Sequence, residues 1–258
     1  MARMLVVVAH PDDETFGTGS VIAAAAAAGV DVHVCCATRG EAGEDTSGTT
    51  GSPGELAAAR EAELHTAAAV LGASGATVLG FADSDMEGAP PPDSLVAVPI
   101  DDVIAAVAAR ITALAPDVVV TLDPVSINDH RDHMRIGEAT THAFARAAPA
   151  SSRLYYWTLK RSLMVRWQAE MKARGALPGY VDLELGRPDD EITTVIDAEH
   201  LLDVRRAGIA AHRTQTSPFA SVSSDLEREL LVESHLVRVV PAWPGGPLET
   251  SLFDGAGG

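Results

Sequence analysis

Long apolar runs and cysteines are scarce in this chain of 258 residues. Its longest apolar stretch, residues 21–30, is shorter than the roughly 20 residues that a membrane-spanning helix needs. No small-residue cleavage site follows the apolar start, so a signal peptide is not expected. The two cysteines, Cys35 and Cys36, are adjacent and poorly placed for an unstrained disulfide. Together these absences predict a cytoplasmic protein in a reducing compartment.

Basic residues are also few, 19 against 36 acidic ones, which gives a formal net charge of −17. Such an acidic surplus repels phosphate backbones and anionic lipids, so neither nucleic acid nor a membrane is an expected partner. Hydrophobic residues, by contrast, make up 47% of the chain. That share is enough to build a sizeable core.

Strand-like and helix-like stretches alternate through the first 158 residues. Short apolar runs, typical of strands buried in a parallel sheet, occur at 4–9, 31–38, 76–81, 117–122 and 154–158. Helical stretches lie between them at 20–28, 56–71, 100–114 and 131–146. The alternation predicts an α/β fold with a doubly wound, mostly parallel sheet.

The second half is less regular and is expected to add elements to the same domain. Helical stretches lie near 161–174 and 200–212, and short strands at 192–196 and 236–240. We therefore expect one α/β domain over residues 1–258, with a poorly ordered tail at 241–258.

Two loops are expected to border a ligand crevice. Residues 39–54 and 83–94 follow predicted strands, and connections at the carboxyl ends of parallel strands line such crevices. The first loop is a candidate substrate lid, and each of the two is equally well explained as a mobile surface loop.

Two polar clusters follow the first and fourth predicted strands. The first is Ala-His-Pro-Asp-Asp-Glu at 9–14, and the second is Asp-His-Arg-Asp-His at 129–133. His130 and His133 are three residues apart at the start of a helix and share a face. Because strands one and four are neighbours where the winding of such a sheet reverses, both clusters are expected at one crevice.

The clusters contain a metal-ligand set of two imidazoles and one carboxylate, His10, Asp13 and His133. Three such ligands with an open position are typical of catalytic zinc, and the same set also suits Fe(II).

The remaining polar residues of the clusters then have candidate catalytic roles. Asp12 lies beside a ligand but points elsewhere, which suits a general base. His130 is placed to stabilise negative charge or to protonate a leaving group, and Asp132 to orient a histidine.

These residues resemble the PIG-L/LmbE-like family of zinc-dependent N-deacetylases. That family includes the N-acetylglucosaminylphosphatidylinositol deacetylases and the deacetylases of the mycothiol and bacillithiol pathways. Besides the two clusters, three stretches match it: Thr-Arg-Gly-Glu at 38–41, Arg60 with Glu63, and Ala-His-Arg-Thr-Gln at 211–215. The resemblance covers roughly residues 4–216.

The resemblance implies a Rossmann-like fold, one zinc ion and hydrolysis of an acetamido group on a sugar. It implies the same three ligands, with Asp12 as the base and His130 stabilising the oxyanion. Arg60 matches an arginine that family members use to contact substrate, and Glu14 and Asn128 complete the expected substrate contacts. Where several members have tyrosine or threonine, this chain has Asn128, which cannot assist an oxyanion equally.

The predicted function is therefore removal of the N-acetyl group from an N-acetylglucosamine-type small molecule. Two alternatives stay open at this point. One is an amidase of the same family that cleaves a larger acyl group or a thiol-conjugate amide. The other is a non-catalytic metal- or sugar-binding protein. The oligomeric state is also open, because family members are often homo-oligomers and the sequence shows no seam.

Overall fold

The computed structural model describes residues 1–86, 88–125, 129–175 and 183–253. Within these ranges one sheet has seven strands: β1 (Arg3–Val8), β2 (Asp31–Cys36), β3 (Gly75–Val78), β4 (Val118–Leu122), β5 (Arg153–Thr158), β6 (Thr194–Asp197) and β7 (Glu233–Val240). Their order across the sheet is β3-β2-β1-β4-β5-β7-β6. The first five strands are parallel, and β7 runs antiparallel to both β5 and β6. The predicted mostly parallel α/β sheet with C-terminal additions is confirmed.

The same described ranges contain eight α-helices: α1 (Asp13–Phe16), α2 (Gly19–Ala27), α3 (Pro53–Val70), α4 (Ile100–Leu114), α5 (Arg131–Ala147), α6 (Arg161–Ala173), α7 (Leu202–Ala211) and α8 (Ser224–Val232). The helices α4 and α5 pack on each other and on β1, while α2 and α3 both contact α7. No helix within the described residues is long and apolar enough to cross a membrane.

The centre of the sheet is built by strands whose side chains are buried on both faces. Residues 4–8 of β1 are at most 3% exposed, and all of β4 is buried. Met4 of β1 pairs with Val32 of β2 on one side and with Val118 of β4 on the other. The winding therefore reverses between β1 and β4, as predicted, and their carboxyl ends open into one crevice.

Two helices were not predicted, and both have local sequence signals. The short α1 follows the polar turn after β1. The helix α8 begins after Ser223, whose hydroxyl accepts a hydrogen bond from the backbone N–H of Leu226 at 3.4 Å, in the manner of an N-cap. A similar cap at Ser52 starts α3 at Pro53, three residues before the predicted start.

The region of the predicted tail contributes backbone pairing at Glu249. Its N–H donates to the carbonyl of Thr193, and its carbonyl accepts from the N–H of Val195, both at 2.9 Å. The extent of the domain and the order of the tail stay predictions.

Candidate metal centre and active-site cavity

The turn after β1 directs two neighbouring carboxylates to different places. Asp12 has a φ of 132°, which residues with a Cβ rarely adopt. The carboxylate of Asp13 folds back over the strand end, where Oδ2 accepts hydrogen bonds from the N–H groups of Ala9 (3.2 Å) and His10 (2.9 Å). The backbone conformation of Asp12 costs on the order of 1–3 kcal/mol and persists only where neighbouring contacts fix the backbone.

The three predicted metal ligands meet at the carboxylate of Asp13. Its Oδ1 lies 3.2 Å from Nε2 of His133, and its Oδ2 lies 3.6 Å from Nδ1 of His10. His133 is in the first turn of α5, directly after the crevice. The fold thus brings together residues that follow β1 and residues that follow β4, although they are over 100 positions apart in the chain.

A buried carboxylate orients His10 from the opposite side. Oδ2 of Asp132 lies 3.2 Å from Nε2 of His10 and accepts a hydrogen bond from the backbone N–H of Ser84 at 3.0 Å. Asp132 is fully buried, so an ionised carboxylate there needs these partners. Because Nε2 of His10 faces the carboxylate of Asp132, Nδ1 is the nitrogen that faces Asp13, and it would be the one to bind a metal after losing its proton.

The loop that supplies Ser84 was predicted to border the crevice, but its site residues were not identified. Asp83 is buried, and its Oδ2 lies 3.9 Å from Nε2 of His10. Glu41 holds this loop by accepting a hydrogen bond from the N–H of Asp83 at 2.9 Å. A single Asp-Ser pair in a loop has no spacing signal that could have revealed it.

His130 lies among the ligands but is bonded differently from them. It caps α5: its Nδ1 accepts a hydrogen bond from the backbone N–H of Asp132 at 3.2 Å. Burial, together with the nearby His10 and His133, lowers the pKa of His130 to about 3, so the ring is neutral. With Nδ1 accepting, the neutral ring carries its proton on Nε2.

This tautomer bears on one of two groups of side chains that could hold a metal. Ligand atoms of His10, His130 and His133 lie within 4.8 Å of one another, as do those of His10, Asp83 and Asp132. A ligating imidazole offers one nitrogen to the metal and donates a hydrogen bond from the other. His130 accepts at Nδ1 and carries its proton on Nε2, so it is the weaker candidate in the first group. The carboxylate of Asp13, 3.2 Å from Nε2 of His133 and 3.6 Å from Nδ1 of His10, stays the predicted third ligand.

The charges in the cluster fit a cation. Burial opposes charge on Asp13, but the neighbouring His133 and hydrogen bonds from His10 hold the pKa of its carboxyl well below the usual range. Burial also lowers the pKa of His10, yet its hydrogen bonds with Asp13 and Asp132 raise it to about 10. Two carboxylates thus stabilise positive charge at the place where the three ligands meet. A buried His/Asp set of this kind suits a divalent ion.

Asp12 points away from the ligands and is held by a buried arginine. Nη2 of Arg60 donates to Oδ2 of Asp12 at 3.0 Å and to the carbonyl of Pro11 at 2.7 Å. Its Nη1 donates to the carbonyl of Gly40 at 2.7 Å. Burial raises the pKa of Asp12 to about 6, and the charge of Arg60 limits that rise.

Arg60 lines the cavity, but its guanidinium is hydrogen-bonded to the turn after β1 and to the loop after β2. It is 3% exposed, and the three groups that its guanidinium bonds all belong to the protein. A Cβ at Gly40 or at Gly43 would collide with this guanidinium, which explains the glycine of the Thr-Arg-Gly-Glu stretch. The geometry therefore makes Arg60 a support for Asp12 at least as much as a substrate contact.

Glu14 does not reach the cavity, contrary to the expected substrate contact. It is fully buried: Oε2 accepts from the N–H of Asp12 at 2.9 Å, and Oε1 lies 2.5 Å from Nε2 of His212. Burial lowers the pKa of His212, but the charge and hydrogen bond of Glu14, together with the charges of Asp12 and Glu63, raise it above its usual value. Glu14 therefore ties the strained turn to the interior because its carboxylate needs two buried donors.

The stretch at 211–215, which matches the family, is fixed by hydrogen bonds to α3. Glu63 accepts hydrogen bonds from the N–H groups of Arg213 and Thr214, both at 3.0 Å, and from the Thr214 hydroxyl at 2.7 Å. These bonds place His212 against Glu14. The sequence analysis left the role of His212 open. Asn128, another expected substrate contact, lies outside the described residues.

One cavity of about 740 Å³ contains these groups at one end. The polar end is formed by the two clusters and by residues of the two predicted crevice loops, Ala42, Gly43, Glu44, Asp83, Asp85 and Met86. The rest of the wall is largely apolar and comes from the C-terminal half, chiefly Trp157, Leu159, Met164, Trp167, Met171, Leu185, Phe219 and Leu230. The sequence analysis did not identify this apolar end.

The fold and the clusters define an α/β protein with a candidate metal centre at the switch point of its sheet. The sequence profile of the family described as PIG-L: GlcNAc-PI de-N-acetylase matches residues 5–144. A 1D-myo-inositol 2-acetamido-2-deoxy-alpha-D-glucopyranoside deacetylase of Rhodococcus opacus (strain B4) is 36% identical, covering 92% of this chain and 91% of its own. The chain belongs to the PIG-L deacetylase family, and the predicted resemblance is confirmed.

Solved structures agree on the fold. The N,N'-diacetylchitobiose deacetylase from Pyrococcus horikoshii superposes with a TM-score of 0.64 at 19% identity, covering 92% of this chain and 83% of its own. GalB, the 4-carboxy-2-hydroxymuconate hydratase from Pseudomonas putida KT2440, also reaches 0.64, at 18% identity, covering 97% and 100%. Because this fold also occurs in a hydratase, the reaction has to be argued from the site.

Proposed function

We propose that this protein is a zinc-dependent N-deacetylase that hydrolyses the acetamido group of an N-acetylglucosamine-type glycoside. The observation that carries the proposal is the meeting of His10, Asp13 and His133 beside the separately held carboxylate of Asp12. The substrate type is suggested by the family and by relatives that are named as deacetylases of an acetamido-sugar glycoside.

His10 through Nδ1, Asp13 through Oδ1 and His133 through Nε2 would hold the ion. When bound there, a divalent metal supplies Lewis-acid polarisation of an amide carbonyl and lowers the pKa of a water. Asp132 keeps Nε2 of His10 occupied, which fixes the ring so that Nδ1 faces the site.

Asp12 is the proposed general base, and His130 the proposed oxyanion donor. The Arg60 guanidinium holds Asp12 apart from the ligands, so its carboxylate accepts the proton of the water that attacks the amide carbon. The Nε2–H of neutral His130 donates to the oxygen on which negative charge develops. The proton held by Asp12 then passes to the departing amine.

The test is acetate release by metal-stripped protein to which zinc or Fe(II) is restored separately. Substrates are the methyl glycoside of N-acetylglucosamine and the inositol glycoside of the relatives. We expect release only with metal, and the two metal arms rank the ions. The role of Asp12 is tested with Asp12→Asn, and Asp101→Asn is its matched control because Asp101 is a carboxylate on the exposed surface. If fully metal-loaded protein released acetate from neither of the two substrates, the proposal would be contradicted.

A further inference from the structure

Beyond the metal centre, the cavity has a second part with its own chemistry. We name as the apolar end the wall formed by Leu159, Met164, Trp167, Met171, Phe219 and Leu230. It continues directly from the polar end within one cavity. An acetamido sugar is polar over most of its surface, so its hydroxyl groups gain nothing from apolar side chains.

The apolar end is held in place by one hydrogen bond and by packing. Nε1 of Trp167 donates to the carbonyl of Pro218 at 3.1 Å, which fixes the indole ring between α6 and the segment before α8. Phe219 meets Phe16 edge to face, with ring centroids 6.3 Å apart. Met164 and Trp167 belong to a buried cluster that α6 shares with Val222 and Leu226. The wall is therefore a built surface.

Trp157, which also lines the cavity, packs against the turn of the metal centre. A Cβ at Gly17 would lie 3.2 Å from Cζ3 of Trp157 and 2.8 Å from the carbonyl oxygen of Asp13. The indole of Trp157 thus packs against the turn because position 17 has no side chain.

Charge restricts what the cavity accepts. The described lining residues include five carboxylates, Asp12, Asp13, Glu44, Asp83 and Asp85. Among the same residues the one arginine is Arg60, which is paired with Asp12, and no lysine lines the wall. Away from the ion that Asp13 would hold and the Arg60–Asp12 pair, a phosphate next to the sugar would find the like charges of Glu44, Asp83 and Asp85.

We infer that the substrate is an N-acetylglucosaminide whose aglycone is apolar and carries no anionic group. The inference rests on the proposed function, which fixes the acyl group as acetyl and so leaves the apolar group on the aglycone side. Burial of alkyl or aryl surface against the apolar end would supply binding that a polar aglycone cannot.

The test compares kcat/KM of the zinc-loaded protein on methyl, butyl and hexyl N-acetylglucosaminides. We expect a rise of up to about fourfold per added methylene, so that hexyl exceeds both methyl and inositol glycosides. N-acetylglucosamine 1-phosphate should be slower than the methyl glycoside. If the inositol glycoside is the best substrate and chain length has no effect, the inference is wrong while the proposed function stands.

Two further arms separate the remaining outcomes. Methyl glycosides with hexanoyl in place of acetyl test whether the apolar group belongs to the acyl side, and faster turnover of hexanoyl would overturn the inference. Binding of hexyl glucoside, which has no amide, is followed by fluorescence of Trp157 and Trp167. A response without any deacetylation would contradict the proposed function yet support the apolar end as a binding site, and no response would count against it.

Variants localise the effect. Phe219→Ala should lower the hexyl-to-methyl ratio of kcat/KM about tenfold because an aromatic contact is lost. Val165→Ala is the control, since Val165 is on the same helix as Met164 and Trp167 but is 58% exposed. An equal fall of the ratio in both variants would contradict a specific role for the apolar end, and thermal unfolding checks that both variants fold.

Discussion

The two ends of the cavity are built in different ways. The polar end comes from turns that follow β1 and β4, and almost every side chain there is fixed by hydrogen bonds to named partners. The apolar end comes from α6, α8 and the segments next to them, and it is fixed mainly by packing. Metal binding and proton transfer need particular atoms in particular places, whereas apolar contact needs only surface. We therefore expect changes at the polar end to affect metal and turnover, and changes at the apolar end to affect substrate affinity.

The largest effect is expected from His133→Ala. It removes one of three ligands, so metal content should fall well below one ion per chain, and turnover should drop by more than about 100-fold, beyond what loss of an outer partner costs. Metal analysis of dialysed protein and acetate release measure the two effects. Full metal content with normal turnover would remove His133 from the ligand set.

Asp12→Asn should separate metal binding from chemistry. The amide keeps the shape and a hydrogen-bond acceptor for Arg60 but cannot take a proton. We expect full metal content with kcat lowered about 10²- to 10⁴-fold. The surface variant Asp101→Asn should retain wild-type kcat. If Asp12→Asn were fully active, another group would have to be the base.

Asp132→Asn tests the support behind a ligand. An amide accepts from the Ser84 N–H more weakly and can present its NH₂ group to Nε2 of His10, which disturbs the ring that Asp132 orients. Metal affinity should fall by about 10- to 100-fold, as for other outer partners of metal ligands. Competition with a chelator of known affinity gives the shift. An unchanged metal affinity would show that His10 is held in position without the carboxylate of Asp132.

Glu14→Gln should have a smaller effect, through the turn alone. Glu14 accepts from the Asp12 N–H and pairs with His212, so an amide either leaves two donors facing each other or makes neutral His212 accept at Nε2, with the charge pair lost in both cases. We expect the free energy of unfolding to fall by about 1–3 kcal/mol. With Asp12 less well held, kcat should fall roughly tenfold while metal content is kept. Denaturant unfolding and kinetics test this, and a change in KM alone would point instead to contact with substrate.

The same contrast explains what the sequence could predict. The Val-rich strands predicted the switch point, and the two polar clusters predicted that His10, Asp13 and His133 would lie together, because metal binding restricts such positions to few residue types. Asp83 and Ser84 were missed because they contribute from a loop whose path no periodicity reveals. Glu14 was assigned to substrate because its burial depends on His212, which is 198 residues away in the chain. The apolar end was invisible because Met164, Leu230 and their neighbours look like any helix core.

The smallest effect is expected from Leu230→Ala at the apolar end. Leu230 lines the cavity and is half-buried, so its truncation removes part of one apolar contact. KM for the hexyl glycoside should rise by roughly two- to fivefold, with a smaller change in kcat, because the side chain touches none of the proton-transferring groups. Steady-state kinetics beside Val165→Ala measures the difference. A fall in kcat at constant KM would mean that the apolar end positions the catalytic groups. The assignment of turnover to the polar end and of substrate affinity to the apolar end would then be wrong.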